Sequence, residues 1–499
     1  MAGTIATSAV VAAAWVHSAF RGPAYSPTHH ANITAELSPL LSANASILGP
    51  GSTGWSEAAL RWQPWKRPVL DIIVEVVTEQ DIEHSIRVAN HHRRPFLAIS
   101  GGHGGTRDLS NVRNGVGIRM RGMKYVTIAE DGRTARIGGG ILSGELAHTL
   151  WAEGKQNVGG GCECTGAVAP MLGGGHGWLQ GQYGLMADNL ISARLTLANA
   201  TTVTVSATLQ PGLFWALQGA GHNFGIMSSF EYKLHDRTPE NEKWTYDLMV
   251  FRQDQLEDVY RTAEELDAST HTVELAHWSY WLRNPVVDPV NPIIMFYVIY
   301  QGTTIPSQHS KPFHNLKPVS SQVNTTDLLG LAKVTLLDMT SPFCAHSNTT
   351  AVQRWPTLLK TYPISGLRSA FNKLASLPSP FNGSAFIIEA YSLQAVQAVP
   401  EDSTAFADRR SSLLLSPFLI YPISTQEVDE QGEQHGREMQ QILANASGSP
   451  LSAYINYASG FESQEALFGY QPWRLEKLRA LKREYDPEGR FSYYAAVDT

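Results

Sequence analysis

Two short stretches set reactive side chains on glycine-rich backbone. "SGGHG", residues 100–104, brackets His103 with glycines, and "GGGCECTGAV", residues 159–168, carries Cys162 and Cys164. An imidazole is a base, donor or metal ligand near neutral pH, and a thiolate is a nucleophile and a metal ligand. Gly101, Gly102 and Gly104 allow positive φ and a close approach of backbone amides to an anion such as a diphosphate. The device recurs in "MLGGGHGWLQGQYGL", with Gly173, Gly174 and His176, and in "LFWALQGAGHNFGI", with His222, Asn223, Gly225 and Ile226. One such loop alone reads as a tight turn; three together favour a ligand.

Cys162, Cys164 and Cys344 are the three cysteines of the chain. An odd count rules out a framework of disulfides and leaves at least one thiol free, modified or intermolecular. An extended Cys-x-Cys pair points its thiols to opposite faces, which argues against a structural disulfide as the use of this motif. No zinc spacing is present around it, so no metal is expected.

The elements that must position these residues are readable in outline. "PVLDIIVEVV", "TEQDIEHSIRVANHH" and "PFLAIS" read as strand, helix and strand, with Thr78 as the helix N-cap. "YVTIAEDGRTARIGGG" predicts a hairpin turning at Asp131-Gly132, and "ILSGELAHTLWAEG" a helix from about Ser143 to Gly154. Between residues 240 and 450, "DQLEDVYRTAEEL" and "AVQRWPTLLKTY" read as helices, and "PIIMFYVIYQG", "AFIIEAYS" and "SLLLSPFLIYPI" as strands. "SAYINYASGF" reads as strand and loop, and "PWRLEKLRALKREYDPEGRF" as a helix that stops before Pro487. The expected fold class is α+β: a first lobe, a second domain over roughly 240–450 with a sheet and a helical side, and a compact tail.

The chain has 499 residues and a formal net charge of −7, without a Lys/Arg stripe, so nucleic acid is not an expected partner. No stretch after the first twenty residues is long and apolar enough to span a bilayer. The N-terminus, "MAGTIATSAVVAAAWVHSAF", has a signal-peptide-length apolar stretch without a basic start. Asn-x-Ser/Thr sequons at Asn32, Asn44, Asn199, Asn324, Asn348, Asn382 and Asn445 fit a secreted glycoprotein.

In combination, these motifs resemble the flavin-linked oxidases of the berberine bridge enzyme-like group, within the vanillyl-alcohol oxidase type of FAD-binding fold. The resemblance spans about residues 65–235 and 450–499 and is looser between them. After a signal-like segment at 1–20, it implies a two-lobed FAD-binding domain at 21–235 that the chain re-enters at 451–499. At 236–450 it implies a separate substrate domain, an antiparallel sheet covered by helices. It implies FAD, held bicovalently: His103 matches the histidine bonded to the flavin 8α carbon, and Cys162 the cysteine forming a thioether to C6. Cys164 is then a packed free thiol, with exchange of roles between the two cysteines left open. Ser100, Gly101, Gly102, Gly104, Gly166, Gly173, Gly174, Asn223, Gly225, Ile226 and Asn456 match cofactor-binding positions. Val168, Ala169 and Pro170 stand where Gly-Gly-His is usual. A backbone nest beside Cys162 would favour its thiolate.

The resemblance places two catalytic tyrosines, Tyr183 and Tyr457, at the flavin. A phenol has a pKa of about 10 and acts as a base only where neighbours depress it. The base expected on a middle-domain strand is replaced by apolar residues near Pro417, downstream of Asp408 and Arg409. Glu389 and Tyr391 are substitutes sharing one strand face, which could equally be solvent, and His176 and His222 are alternative donors. Thr165 matches a position tied to oxygen access and has the size of valine. The expected function is a FAD-dependent oxidase that moves hydride from an alcohol, amine or aromatic natural-product intermediate to the flavin, with O₂ as acceptor. The alternatives are a cyclisation or other non-redox step, a carbohydrate oxidase, and a non-catalytic flavin-fold binding protein. The aromatic "WSYWLRNP" favours an apolar or aromatic substrate over a sugar. The expected partners are a small-molecule substrate and O₂, on a monomer or weak oligomer.

Overall fold

The β-branched run of the first lobe forms the strand Leu70–Glu75, and the helix Glu79–His91 follows it. Thr78 caps that helix by accepting from the Asp81 N–H, and the Asp81 carboxylate accepts from Thr78 in return. Leu70–Glu75, Gly115–Arg119 and Phe96–Ile99 lie parallel, with Ser46–Leu48 antiparallel at the edge. The His103 loop leaves the end of Phe96–Ile99 directly. The computed structural model describes residues 27–269 and 272–499, so the signal-like residues 1–20 lie outside it.

A second, five-stranded antiparallel sheet runs in the order Val126–Ile128, Thr134–Gly138, Ile226–Lys233, Leu190–Thr196, Thr202–Ser206. Gly132, at φ +68°, makes the hairpin turn read from Asp131-Gly132.

The middle of the chain builds an eight-stranded antiparallel sheet. Its order is Ser320–Asp327, Lys243–Phe251, Pro292–Gln301, Leu275–Arg283, Ala385–Tyr391, Leu413–Pro422, Thr350–Arg354, and Thr357–Leu359 also pairs with Leu413–Pro422. One face packs under the helices Leu256–Ser269, Ile364–Ala375 and Gln426–Ser447, through Trp281, Phe386, Ile388 and Phe371. The other face turns Trp278, Tyr280, Ile387 and Tyr391 toward the first lobe. Ala385–Tyr391 is therefore buried along its whole length, and the face holding Glu389 and Tyr391 is interior rather than solvent.

Two expected elements differ. "AVQRWPTLLKTY" is not a helix: it forms the strands Thr350–Arg354 and Thr357–Leu359, broken at Trp355-Pro356. Pro356 cannot donate to a helical hydrogen bond, and its ring disfavours the helical region for Trp355. "SAYINYASGF" is not a strand: it runs as irregular backbone with a 3₁₀ turn at Ile455–Tyr457.

The C-terminal helix Pro472–Tyr485 buries Leu475, Leu478 and Leu481. Its Lys482 Nζ donates to the carbonyls of Asn223 and Phe491 and pairs with Asp486 at 2.7 Å, all without solvent. The Asn223 amide meanwhile donates to the Ala495 carbonyl and accepts from the Val497 N–H. These bonds pin the tail that carries Tyr493 and Tyr494. No described helix is long and apolar enough to cross a membrane. Asn223→Ala strands these buried tail groups, so we expect a loss of about 1–3 kcal/mol, read as a lowered midpoint in thermal unfolding.

Candidate active site

His103 lies on the backbone that follows Phe96–Ile99, its ring stacked on Trp62 with centroids 5.2 Å apart. Trp62 is fixed in turn: its N–H donates to the Gly102 carbonyl and its Nε1 to the Phe343 carbonyl. The His103 Nε2 is buried with no hydrogen-bond partner. Burial, with help from His346, Arg61 and Arg354, drives its pKa down to about 3, so the ring is neutral and keeps a lone pair near neutral pH.

Residues 159–165 form no regular element, and turn geometry replaces the extended Cys-x-Cys of the sequence reading. The two sulfurs therefore point to the same side, 3.4 Å apart. Cys164 is not a free thiol: it is bonded to Cys344, 180 residues away. Cys162 is the free cysteine, 3.7 Å from the Cys344 sulfur. Thiol–disulfide exchange needs the attacking sulfur in line with the S–S bond, where its two distances would differ by about 2 Å. Distances of 3.4 and 3.7 Å put Cys162 side-on to the bond, out of line for attack on it. Burial pushes that thiol up to about 11, against backbone N–H groups at Cys164 and Thr165 that lower it. The expected nest is present, and desolvation outweighs it.

Two cavities meet here. The first, of about 250 Å³, runs past Ser100, Gly101, Gly102 and Gly104, Gly139, Gly166, Gly225 and Ile226. Arg61 and Arg490 bring positive charge to it, as an anionic cofactor requires. The second, of about 140 Å³, is walled by Trp62, Trp278, Tyr280, Phe343 and Phe418, with Cys162, His176, Arg354, Glu389, Tyr391 and Tyr457. His103, Thr165, Pro170, Asn456 and Tyr494 border both. One nitrogen of His103 and the Cys162 sulfur lie within 4.8 Å of each other.

Asn456 is held at this boundary. Its Nδ2 donates to the Pro170 carbonyl and the Tyr454 hydroxyl, its Oδ1 accepts from His222, and its carbonyl accepts from Tyr494. Gly173 backs it: a side chain there would collide with the Asn456 amide. Gly174, at φ +99°, makes the tight turn before His176. Gly173, Gly174 and Asn223 border neither cavity; they shape its surroundings from behind. His222 borders the first cavity, and burial lowers its pKa to about 4. His176 borders the second; its Nδ1 donates to Gln180 and its Nε2 has no partner.

The eight-stranded sheet supplies Glu389 and Tyr391, and the 3₁₀ turn Ile455–Tyr457 supplies Tyr457. Glu389 accepts from the Tyr457 hydroxyl at 2.8 Å through Oε1 and from the Tyr391 hydroxyl at 2.8 Å through Oε2. Burial raises the Glu389 carboxyl, with Arg354 and the two tyrosines opposing. Tyr457 is raised well above the usual phenol range, by burial and then by Glu389. It is therefore no ready phenolate, contrary to the condition the sequence reading set for a base. Tyr183 is a second correction: it borders neither cavity and stacks on His235 at 3.5 Å, because the 3₁₀ turn Met186–Asn189 holds it there through Asn189, which donates to its carbonyl. Arg354, Trp62 and Phe343 went unread in the sequence; Arg354 fell in the segment read as a helix.

A glycine-walled, positively charged cavity continuing into an aromatic one with an acid–base group is the site of a nucleotide-cofactor oxidoreductase. Residues 70–206 match a family model described as FAD binding domain. The chain is 37% identical to FAD-linked oxidoreductase chyH of Penicillium rubens, over 93% of each chain. It is 35% identical to FAD-linked oxidoreductase chry5 of Gibberella zeae, over 92% of this chain and 94% of that one. In fold it superposes on Physcomitrella patens BBE-like 1 with a TM-score of 0.79, covering 93% of this chain and 98% of that one at 21% identity. A xylooligosaccharide oxidase from Myceliophthora thermophila gives 0.78, covering 93% and 99% at 21% identity. The chain belongs to the FAD-linked oxidoreductases, and its fold is the α+β architecture of its BBE-like, vanillyl-alcohol oxidase type neighbours.

The orphaned His103 Nε2, the glycine walls and the two arginines fit FAD. Unfolding under non-reducing conditions should expose at most one thiol per chain to a thiol reagent, and prior reduction should expose two more. Two exposed after reduction and none before marks Cys162 as blocked; three before reduction contradicts the Cys164–Cys344 bond.

Proposed function

We propose that the protein is an FAD-dependent oxidase that removes hydride from a small organic substrate, with dioxygen as terminal acceptor. The observation that carries this reading is the Glu389–Tyr457 pair, which faces the same aromatic cavity as His103 and Cys162. His103 Nε2 and the Cys162 sulfur are the proposed attachment points for FAD, held from two sides of one ring. FAD, when bound, supplies the two-electron acceptor and the route to dioxygen.

The chain's own residues do the rest. Trp278, Tyr280 and Phe418 hold the substrate against the cofactor and exclude water. A substrate hydroxyl or amine gives its proton to the Tyr457 oxygen as Tyr457 passes its own to Glu389 Oε1. The strong hold of Tyr457 on its proton is thus answered by a carboxylate whose basicity burial has raised. The Tyr454 oxygen already accepts from Asn456 and from the His176 N–H, so its own proton is free to be donated to substrate. Thr165 stands beside the anchors, with the size of valine, which suits access by dioxygen.

Secretion and glycosylation belong to the same proposal. All seven sequon asparagines are exposed, and a disulfide fits an oxidising compartment.

The test is anaerobic mixing of the holoenzyme with benzylic alcohols, aromatic amines and, as a second class, cellobiose and xylobiose. Bleaching of the flavin band, followed by peroxide on admission of air, supports the oxidase. Bleaching by the sugars alone moves the assignment to a carbohydrate oxidase, and turnover without bleaching contradicts both. Tyr457→Phe and Glu389→Gln are each expected to slow bleaching about 10²–10⁴-fold. The relay needs Glu389 ionised, and its pKa is raised, so kcat/KM should fall with acid along a limb above the ordinary glutamate range. Glu389→Gln should flatten that limb.

A further inference from the structure

Arg354 ends the strand Thr350–Arg354, in register with Phe418 on the neighbouring strand. Its guanidinium carbon lies 4.5 Å from the centre of the Phe418 ring and 3.0 Å from that of Tyr457. It borders the aromatic cavity and not the glycine-walled one.

Of the buried cations among the described residues, two are held in ion pairs, while Arg474 donates to the Thr404 and Glu401 carbonyls and Arg61 to that of Gly104. Arg409 holds Asp188 at 2.7 Å through a guanidinium only 1% exposed, and Lys482 holds Asp486 at 2.7 Å. Arg354 makes no ion pair among the described residues, and its Nε is buried without a hydrogen-bond partner. Glu389, the carboxylate in the same cavity, has each oxygen occupied by a tyrosine hydroxyl. A guanidinium facing aromatic walls keeps some attraction from their π faces. This one offsets part of the rise that burial gives the Tyr457 phenol and the Glu389 carboxyl beside it, without an ion pair to either. A planar anion that accepts two parallel N–H bonds satisfies the guanidinium fork better than ring faces do.

We propose that the substrate is an aromatic molecule bearing an acidic group, with its ring between Trp278, Tyr280 and Phe418 and its anion on Arg354. This rests on the oxidase reading, because it assigns the substrate class of that same cavity. The positive charge elsewhere in the composite site, Arg61 and Arg490, borders the glycine-walled cavity, so Arg354 is the cation left for substrate. A neutral sugar would leave it unmatched.

The test uses the holoenzyme and two isosteric probes, benzoate and benzamide, each titrated against the flavin visible band. Benzoate is expected to bind at least about tenfold more tightly than benzamide. In Arg354→Gln the two should bind within about twofold of each other, with benzamide little changed, and added salt should weaken benzoate selectively in the wild type. Arg354→Lys keeps the charge without the fork and should retain part of the preference. Benzoate binding no more tightly than benzamide to the wild type, or the preference persisting in Arg354→Gln, overturns the proposal. Quenching of Trp62 and Trp278 fluorescence reports the same binding without flavin, so a colourless protein would count against the cofactor reading and not against this one.

Discussion

The bond between Cys164 and Cys344 is the constraint on which the site depends. It ties the loop that carries Cys162 to a loop of the middle region, and so holds the two sides of the cavity together. Neighbouring hydrogen bonds reinforce it: Glu163 donates to the Leu337 carbonyl, its carboxylate accepts from the Met339 N–H, and Trp62 donates to the Phe343 carbonyl. Trp62 then sets the plane of the His103 ring. The disulfide thus fixes the anchor loop and the aromatic wall together, and leaves Cys162 side-on as the one thiol available to a ligand.

Desolvation is the second organising force. It lowers His103 and raises Cys162, Glu389 and Tyr457, in each case as the largest cause. All four side chains are thereby biased toward their neutral forms in a dry cavity. For an imidazole this preserves a nucleophilic lone pair; for a carboxylate it raises basicity; for a thiol and a phenol it means that a proton must be taken by something nearby. In the proposed reaction the chemistry is consequently carried by contacts, with Tyr457 working through Glu389 and not alone.

Much of the first lobe was legible in the sequence because its elements carry local signals. The Thr78 cap, the Asp131-Gly132 turn and the glycine loops each report a backbone geometry through residue type. The middle region was harder. Glu389 and Tyr391 were placed on one face by alternation, but a strand covered on both sides has no polar face to betray its orientation, so the choice between cavity and solvent stayed open until the sheet was seen. Arg354 was hidden in a segment whose apolar spacing imitates a helix and whose Trp355-Pro356 break went unweighed. Cys164 was misassigned because a rule for extended chain was applied to a turn, and its partner lies 180 residues away, beyond any local pattern. Tyr183 followed a resemblance that the stacking on His235 does not honour.

The central claim is that His103 and Cys162 hold FAD from two sides. Acid precipitation of the purified protein, followed by the flavin absorption of pellet and supernatant, tests it most directly in wild type, His103→Ala, Cys162→Ala and the double variant. The account predicts yellow pellets for the wild type and for each single variant, with a changed spectrum in each, and free flavin only from the double variant. Free flavin from the wild type, or a wild-type spectrum unchanged in Cys162→Ala, would contradict it.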